Sequence, residues 1–281
     1  MNTDTVFNLV DRAVNGDGRA LEDIVFHIQD KIYNLALRML SDPEDARDAT
    51  QEILVKVITN LSGFRKESAL TTWVFSIASR HLLNIRKSRA ERLELNFSTY
   101  GEMIDQGCAQ NEKTDYSGAD ERLIAREIRI MCMFGMLLCL NRTERIAFIL
   151  SEVFDVSSVE GADIVNTTPI AYRQRLSRAK KRLRDFMDNK CGLFNPAAPC
   201  RCEKQIAYEI SSGRIRPDRL VFSGNRQDPS VGDTIQHCLR EIDDLQRMAI
   251  LFRDHPHHEL GEEYATNIRG LIESNAWKIL Q

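Results

Sequence analysis

Apolar residues recur along the first 92 residues at the three- and four-residue steps of an amphipathic helix. In the clearest stretch the repeating positions are Leu21, Ile24, Ile28, Ile32, Leu35 and Met39. Because these positions share one face, they predict a helix with one buried side. Asp42 and Pro43 follow as a capping residue and a first-turn proline, which predict a second helix running to about Leu61.

A third helix is predicted from about Thr71 to Arg92, after Gly63 and a polar loop at 65–68. Its apolar positions point inward. Its polar positions form a line on the other side, made up of Ser76, Arg80, Asn84 and Lys87. The sequence therefore predicts a small helical domain over residues 5–92.

The rest of the chain divides into three stretches. Residues 93–120 lose the helical period and gain Gly, Ser, Asn and Asp, which predicts a linker. Residues 121–188 are helical again, and a segment rich in proline then opens an extension, 191–281, with helices expected near 202–212, 231–254 and 260–280. No useful β-alternation or internal repeat is present, so the predicted fold class is all-α.

Residues 157–186 have the layout of a helix–turn–helix. A short helix containing Ala162 is followed by a tight turn at Asn166, and Thr168 and Pro169 are suited to cap and start a second helix. Tyr172, Leu176, Ala179, Leu183 and Phe186 form its apolar stripe. Seven cations and no acid lie between 173 and 184, so this helix is predicted to enter a major groove of DNA. The alternative is a solvated charged face.

The formal charge of −3, from 38 basic and 41 acidic residues, argues against indiscriminate coating of nucleic acid. The N-terminus shows no secretory pattern, and the longest apolar run, Met131–Leu140, is too short to span a bilayer. Seven scattered cysteines fit reduced thiols in a cytoplasm. No nucleophile–base pair, phosphate loop or carboxylate pair indicates an enzyme, and no cofactor is expected.

Three cysteines lie close together in the extension: Cys191, Cys200 and Cys202. Zinc prefers four soft ligands, and His237 or Cys238 could complete a set. The spacing matches no standard zinc finger, so small buried thiols are the favoured interpretation and a metal or redox site is the alternative.

Three segments resemble, in the right order, those of bacterial RNA polymerase sigma factors. SDPEDARDATQE at 41–52 resembles the polymerase-binding helix, and FRKESALTTWVFSIA at 64–78 resembles the promoter-opening segment. RLSRAKKRL at 175–183 is similar to the recognition helix. With no large domain between the blocks, the chain resembles the small extracytoplasmic-function branch over residues 5–188.

The resemblance implies partners and site residues. In the 5–92 domain, core RNA polymerase would be bound by Asp48, Gln51, Glu52, Val55 and Lys56. Promoter DNA at the −10 element would be held and opened by Arg65, Lys66, Arg80, Asn84 and Lys87. In the 121–188 domain, the −35 element would be read by Thr168, Arg173, Gln174, Arg175, Arg178, Lys181 and Arg182. An anti-sigma factor is a further partner that the resemblance allows.

Two departures from the family pattern bear on promoter preference. Gly161 stands where an aliphatic residue is usual, which predicts a helix weaker by about 1 kcal/mol, and Leu70 replaces a usual aromatic residue. Two other functions stay open: a DNA-binding regulator that does not replace a sigma factor, and a thiol or metal sensor with sigma-like output domains. The extension is interpreted as a built-in regulator that contacts the other domains.

Overall fold

The computed structural model of the chain describes residues 3–110, 116–223, 244–253 and 270. These residues confirm the all-α prediction, since their one β feature is an isolated bridge between Cys191 and Cys200. The helices are α1 (Thr3–Val14), α2 (Gly18–Leu40), α3 (Pro43–Thr59), α4 (Leu70–Asn84), α5 (Phe97–Ala109), α6 (Gly118–Leu138), α7 (Arg142–Phe148), α8 (Ser158–Ile164), α9 (Pro169–Lys190), α10 (Ile206–Ser211) and α11 (Asp244–Arg253).

The described helices belong to two compact units. Unit 1 contains the described residues up to 92 together with 156–173, and unit 2 contains those of 93–155 and 174–256. The first helix of the helix–turn–helix therefore clusters with α1–α4. The domain boundaries derived from the sequence do not coincide with these units and remain predictions.

In unit 1, α2 and α3 meet at a turn that the sequence anticipates. Ser41, at φ 55°, ends α2 in the left-handed region. The Asp42 carboxylate then accepts the backbone N–H groups of Glu44 and Asp45 at 2.9 and 3.0 Å, which caps α3. The predicted start of α3 is confirmed, and its end at Thr59 lies two residues before the expected one.

Helix α4 is shorter than predicted, because it ends at Asn84 and not near Arg92. Ile85 is already extended, at ψ 156°. The following residues are bound to other helices: the Ser88 hydroxyl donates to the Leu40 carbonyl at 2.8 Å, and the Arg89 N–H donates to Asp45 at 2.8 Å. Lys87 therefore lies beyond the helix, and its predicted place on the polar line of α4 is wrong.

Helix α8 lies beside α4 within unit 1, where the Thr72 hydroxyl donates to a Glu160 carboxylate oxygen. The same short helix places Gly161 against Tyr172. A Cβ atom at Gly161 would lie 2.4 Å from the Tyr172 ring and hydroxyl. The Tyr172 side chain therefore requires a glycine at position 161. This glycine weakens α8, but it allows the Tyr172 ring to pack closely against the helix.

In unit 2, the segment predicted as a linker contains helix α5. Its start is fixed by a capping box, in which the Asn96 side chain accepts the N–H of Thr99 and the Thr99 hydroxyl accepts the N–H of Asn96. The ring of Phe97 lies 5.2 Å from that of Phe186. Aromatic packing and the cap thus override the loop-like composition of this segment.

The extension is helical where predicted at 202–212, as a 3₁₀ turn, Cys202–Gln205, followed by α10. Helix α11 falls within the range predicted at 231–254, and its Phe252 ring lies 5.0 Å from that of Phe148. The remainder of that range and the helix expected at 260–280 lie outside the described residues. Among the described helices, none combines the length and apolarity needed to cross a membrane.

Candidate functional site

The turn between α8 and α9 has the geometry that the sequence predicts. Asn166 adopts a left-handed conformation at φ 49°. The Thr167 N–H donates to the Ala162 carbonyl at 2.9 Å, and the Thr168 hydroxyl accepts the Ala171 N–H at 3.2 Å. Since this closes α8 and caps α9 within a few residues, the helix–turn–helix prediction is confirmed.

The apolar stripe of α9 is buried as expected. Tyr172, Ala179 and Leu183 are fully buried, Phe186 is almost so, and Leu176 is half-buried. Because one face of the helix is fixed in this way, the opposite face is turned to solvent.

That opposite face carries unpaired positive charge in its first half. Arg173, Gln174 and Arg178 are exposed, and Arg175 is half-buried. None of these three arginines has an ion-pair or hydrogen-bond partner for its guanidinium within the described part of the chain. Guanidinium groups that are free and exposed are available to bind phosphates or base edges.

Three of the four later cations between 180 and 184 are already engaged, and the fourth, Arg184, is half-buried with its Nε atom shielded from solvent. Lys180 pairs with Glu152 and Lys181 with Asp185, both at 2.6 Å. Arg182 pairs with Glu144 at 2.8 Å, and its guanidinium lies 5.1 Å from the ring centre of Phe97. The free positive charge therefore concentrates near the N-terminus of α9, the end that recognition helices present to base edges.

Helix α3 presents a second exposed face. Its core positions, Ala46, Ala49, Ile53 and Val57, are buried as predicted. All five predicted polymerase-binding residues are exposed: Asp48, Gln51, Glu52, Val55 and Lys56. Val55 is an exposed aliphatic residue between polar ones, at 38%, which suits a docking surface with an apolar centre.

An open cleft of about 730 Å³ lies between α3 and α4. Its lining includes Lys56 on α3 and Trp73, Arg80, His81 and Asn84 on α4. Arg80 and Asn84 are exposed, as predicted for DNA contacts, although the Asn84 amide also donates to the Arg80 carbonyl at 2.7 Å. The cleft thus joins the two predicted binding faces of the N-terminal helices.

His81 lies in this cleft beside two charged residues of α3. The Lys56 ammonium is 2.5 Å from His81 Nδ1, and a Glu52 oxygen is 3.6 Å from Nε2. Burial lowers the pKa of His81, the Lys56 charge lowers it further, and Glu52 acts in the opposite sense. A neutral imidazole is therefore favoured, accepting a hydrogen bond from Lys56. His81 therefore has a specific polar partner in Lys56.

The loop before α4 holds the other two predicted DNA-binding residues. Arg65 is exposed and, among the described residues, unpaired. Lys66 adopts φ 59°, pairs with Asp11 and lies 5.9 Å from the centre of the Phe7 ring. Phe64 is buried and belongs to the core, so its ring is not a free stacking surface.

One exposed residue was not anticipated from the sequence. Ile170, the second residue of α9, is 65% exposed. It falls outside the apolar stripe that begins at Tyr172, and this mismatch is the signal by which the sequence could have revealed it. An apolar side chain at this position suits contact with the methyl group of thymine.

The cysteines of the extension do not form a metal centre in the described part of the chain, where no group of three or more His, Cys, Asp or Glu side chains could hold a metal ion. Cys191, Cys200 and Cys202 therefore form no such group by themselves among the described residues, and a set completed by His237 or Cys238 stays a prediction. Burial raises the pKa of all three thiols. Protonated thiols are poor nucleophiles. His237 and Cys238 lie outside the described residues.

These features are typical of a class, the helical DNA-binding proteins with a helix–turn–helix whose second helix carries unpaired positive charge. Comparison with known proteins narrows it. The family model for Sigma-70 region 2 matches residues 24–92, and that for Sigma-70, region 4 matches residues 130–183.

Several characterised proteins are similar to this chain. The RNA polymerase sigma-H factor of Pseudomonas aeruginosa is 37% identical over 84 residues, which are 30% of this chain and 44% of that protein. The ECF RNA polymerase sigma-E factor of Escherichia coli K12 is 29% identical over 184 residues, 65% of this chain and 92% of that protein. The ECF RNA polymerase sigma factor SigW of Bacillus subtilis is 24% identical over 171 residues, 60% and 89% respectively.

The chain belongs to the sigma-70 family of RNA polymerase sigma factors, in its ECF branch, with an extension beyond residue 190. Its function is to direct RNA polymerase to promoters. Sigma factors are transcription initiation factors and not enzymes.

Proposed function

We propose that the exposed face of α3 is the surface that binds core RNA polymerase. Asp48, Glu52 and Lys56 provide charge at its rim, and Val55 provides the apolar centre. Replacing Val55 with Asp places a charge at that centre and is expected to weaken polymerase binding. Fluorescence anisotropy with purified core polymerase measures this. The matched control is Val14→Asp, an aliphatic residue of similar exposure at the end of α1, outside the predicted surface.

Next to this face, α4 and the loop at 65–68 hold the promoter near the transcription start and help to open it. Arg65 and Arg80 are exposed guanidinium groups suited to phosphates. Extruding a base costs a few kcal/mol, which stacking of about 1–3 kcal/mol per base can offset. Trp73 lines the cleft and is the candidate stacking surface there.

Helix α9 reads the upstream promoter element. The observation that carries this role is the row of unpaired arginines, Arg173, Arg175 and Arg178, near the start of a helix fixed by its buried stripe. The paired Lys181 and Arg182 follow them and suit contacts to phosphates.

Run-off transcription with purified core polymerase tests this role. Alanine at both Arg175 and Arg178 removes two cations and is expected to cost about 1–3 kcal/mol of promoter binding each. The slope of log binding constant against log salt should fall by about 2, since each phosphate contact contributes about 0.9.

Lys181→Ala is the matched control, because the charge of Lys181 is already compensated by Asp185. It should change transcription and salt dependence less than either arginine substitution. If the double arginine variant transcribes like the unaltered protein at every salt concentration, α9 does not read the promoter.

The extension is proposed to regulate the chain from within, in addition to any anti-sigma factor that binds it, and to act in the cytoplasm with the polymerase. The contacts of residues 191–223 with α5 and α6 support an internal role. Deleting the chain after residue 190 should change transcription or polymerase binding. Unchanged activity, binding and stability would contradict a regulatory extension.

A further inference from the structure

A side chain of the extension packs against helix α5. This helix lies in the segment between the two promoter-binding modules. Gln205 donates from Nε2 to the Ile104 carbonyl at 3.0 Å and to the Cys108 sulfur at 3.1 Å. Its amide fills the space beside Gly107, where a Cβ atom would lie 1.8 Å from Gln205 Oε1. Glycine at 107 is therefore required for this approach.

Two further bonds hold α5, one from the extension and one from the last residue of α9. The Tyr208 hydroxyl donates to Gln106 Oε1 at 2.8 Å. The Lys190 ammonium, at the end of α9, pairs with Asp105 at 2.5 Å. Residues 104–106 and 108 of α5 are thus bound by the last residue of α9 and by the extension.

The C-terminal end of residues 191–223 is hydrogen-bonded to α6. The carboxylate of Glu127, itself buried, accepts the backbone N–H groups of Val221, Phe222 and Ser223 at 2.7 to 3.0 Å. The Phe222 ring lies 5.0 Å from that of Phe134. A buried carboxylate held by several N–H donors is a specific anchor and not an incidental contact.

An apolar cluster lies between the two anchors. It consists of Ile124, Ala125 and Ile128 on α6 with Ile206 and Ile215 of the extension. The strap, residues 191–223, is therefore packed against α6 along its length while it holds α5.

Holding residues 97–109 as a helix shortens the stretch of chain that can extend after Arg92. Only residues 93–96 separate Arg92 from the start of α5, and four residues span at most about 14 Å. With α5 released and unwound, residues 93–117 could span up to about 85 Å. The bonds to α5 therefore set how far the connection can extend.

We propose that residues 191–223 act as a clasp on the linker: they hold 97–109 as a helix in the free protein and release it when the linker extends along polymerase. This rests on the proposed function, in which both promoter-binding modules act on polymerase, and it adds that the linker between them extends along the enzyme. The clasp opposes that extension, so weakening it raises transcription at limiting protein. The switch is a packing contact, and it needs no metal or modified thiol.

The pair Gly107→Ala and Gly101→Ala tests the clasp. Both substitutions favour helix α5 equally in propensity. At Gly101, however, the nearest atom to a new Cβ is Lys190 Cε at 3.2 Å, the end of a flexible side chain. At Gly107 the new methyl displaces Gln205, which must then leave the Ile104 carbonyl.

Two measurements read the result. Cleavage by a glutamate-specific protease after Glu102, an exposed residue of α5, reports local unfolding of that helix. We expect Gly107→Ala to be cleaved there about tenfold faster, and to give more run-off transcript at limiting protein. Gly101→Ala should be cleaved no faster than the unaltered protein, since alanine favours the helix, and should give no more transcript. Faster cleavage with unchanged transcription, or no faster cleavage, overturns the clasp.

Circular dichroism shows whether Gly107→Ala folds. If it does not, Gln205→Ala is the second variant that tests the clasp. It removes the inserted amide without adding atoms and should change both readouts in the same direction. Failure of the sigma role itself is distinct: the unaltered protein would then give no promoter-dependent transcript with core polymerase, whatever the protease shows.

Discussion

Tyr172 and Gly161 show how one residue of the helix–turn–helix depends on another. The ring of Tyr172 is fully buried on α9 and occupies the space above Gly161 on α8. A tyrosine at the start of the buried stripe is thus accommodated by the loss of a side chain on the facing helix. The pair fixes the entry of α9, the helix whose arginines are free.

Gly161→Ala is expected to destabilise the protein, although alanine favours a helix. The new methyl meets the Tyr172 ring at 2.4 Å, and overpacking typically costs about 1–3 kcal/mol. Denaturant unfolding measures the loss. Combining the substitution with Tyr172→Leu should recover part of it. Gly63→Ala, with open space around its new Cβ, is the neutral control, and equal effects at both glycines would contradict the packing argument.

Ile170 carries a prediction about promoter sequence. If its side chain meets a thymine in the groove, replacing that base with uracil removes only the methyl group. The expected loss is about 1 kcal/mol, similar to one buried methylene. Scanning the thymines of the upstream element one at a time, with competition binding of the polymerase complex, locates the base.

In the Ile170→Ala variant the uracil substitution should have no further effect. If replacing thymine with uracil weakens binding equally in the unaltered protein and in Ile170→Ala, a group other than the Ile170 side chain contacts the methyl group.

At the scale of elements, α3 and α4 meet through the pair Lys56 and His81. The folded pKa of His81 is lowered, first by burial and then by Lys56. Between that value and the ordinary value near 6.5, the unfolded chain binds the proton more readily. Stability should therefore fall as the pH drops below about 6.5. His27, whose pKa burial also lowers, acts in the same direction.

Comparing the unaltered protein with His81→Gln isolates the contribution of this pair. The variant should lose less stability between pH 7.5 and 5.5, measured by thermal unfolding at several pH values. His27→Gln is the comparison for a histidine that does not line the cleft, and it should lose its own part of the acid sensitivity. An acid sensitivity that is unchanged in His81→Gln would place the titration elsewhere.

The sequence predicted some elements better than others, for reasons that are physical. The start of α3 is set locally, by Asp42 and the helix that follows it, so it could be predicted. The end of α4 is set by partners that are distant in the chain, since Ser88 is bound to Leu40 and Arg89 to Asp45. No local pattern indicates such bonds.

Helix α5 was missed because its glycines were interpreted as loop signals. Gly107 instead makes room for Gln205 and Gly101 for Lys190, which are contacts to residues about 90 to 100 positions away. The candidate site was predicted more fully. The faces of α3 and α9 follow from helical period, whereas the pairing of Lys181 and Arg182 depends on where neighbouring acids lie.

For the molecule as a whole, positive charge is concentrated and not abundant. The net charge is −3, and the free guanidinium groups of α9 form one small area. Long-range attraction to DNA is therefore weak. The isolated protein is expected to bind a promoter duplex no more tightly than a random one at about 0.15 M salt, and to gain specificity when core polymerase is present.

Gel-shift titrations with and without core polymerase check this expectation, with a scrambled duplex as the control. Tight and specific binding by the isolated chain would instead favour a DNA-binding regulator that does not replace a sigma factor.

The close contact between Gln205 and Gly107 should be detectable in a comparison of many related sequences. Chains that share the extension should vary at these two positions together: a small residue at 107 wherever 205 bears a long amide, and a freer choice at 107 once the extension is lost. Such covariation would show that a constraint has acted during evolution between two residues almost one hundred positions apart.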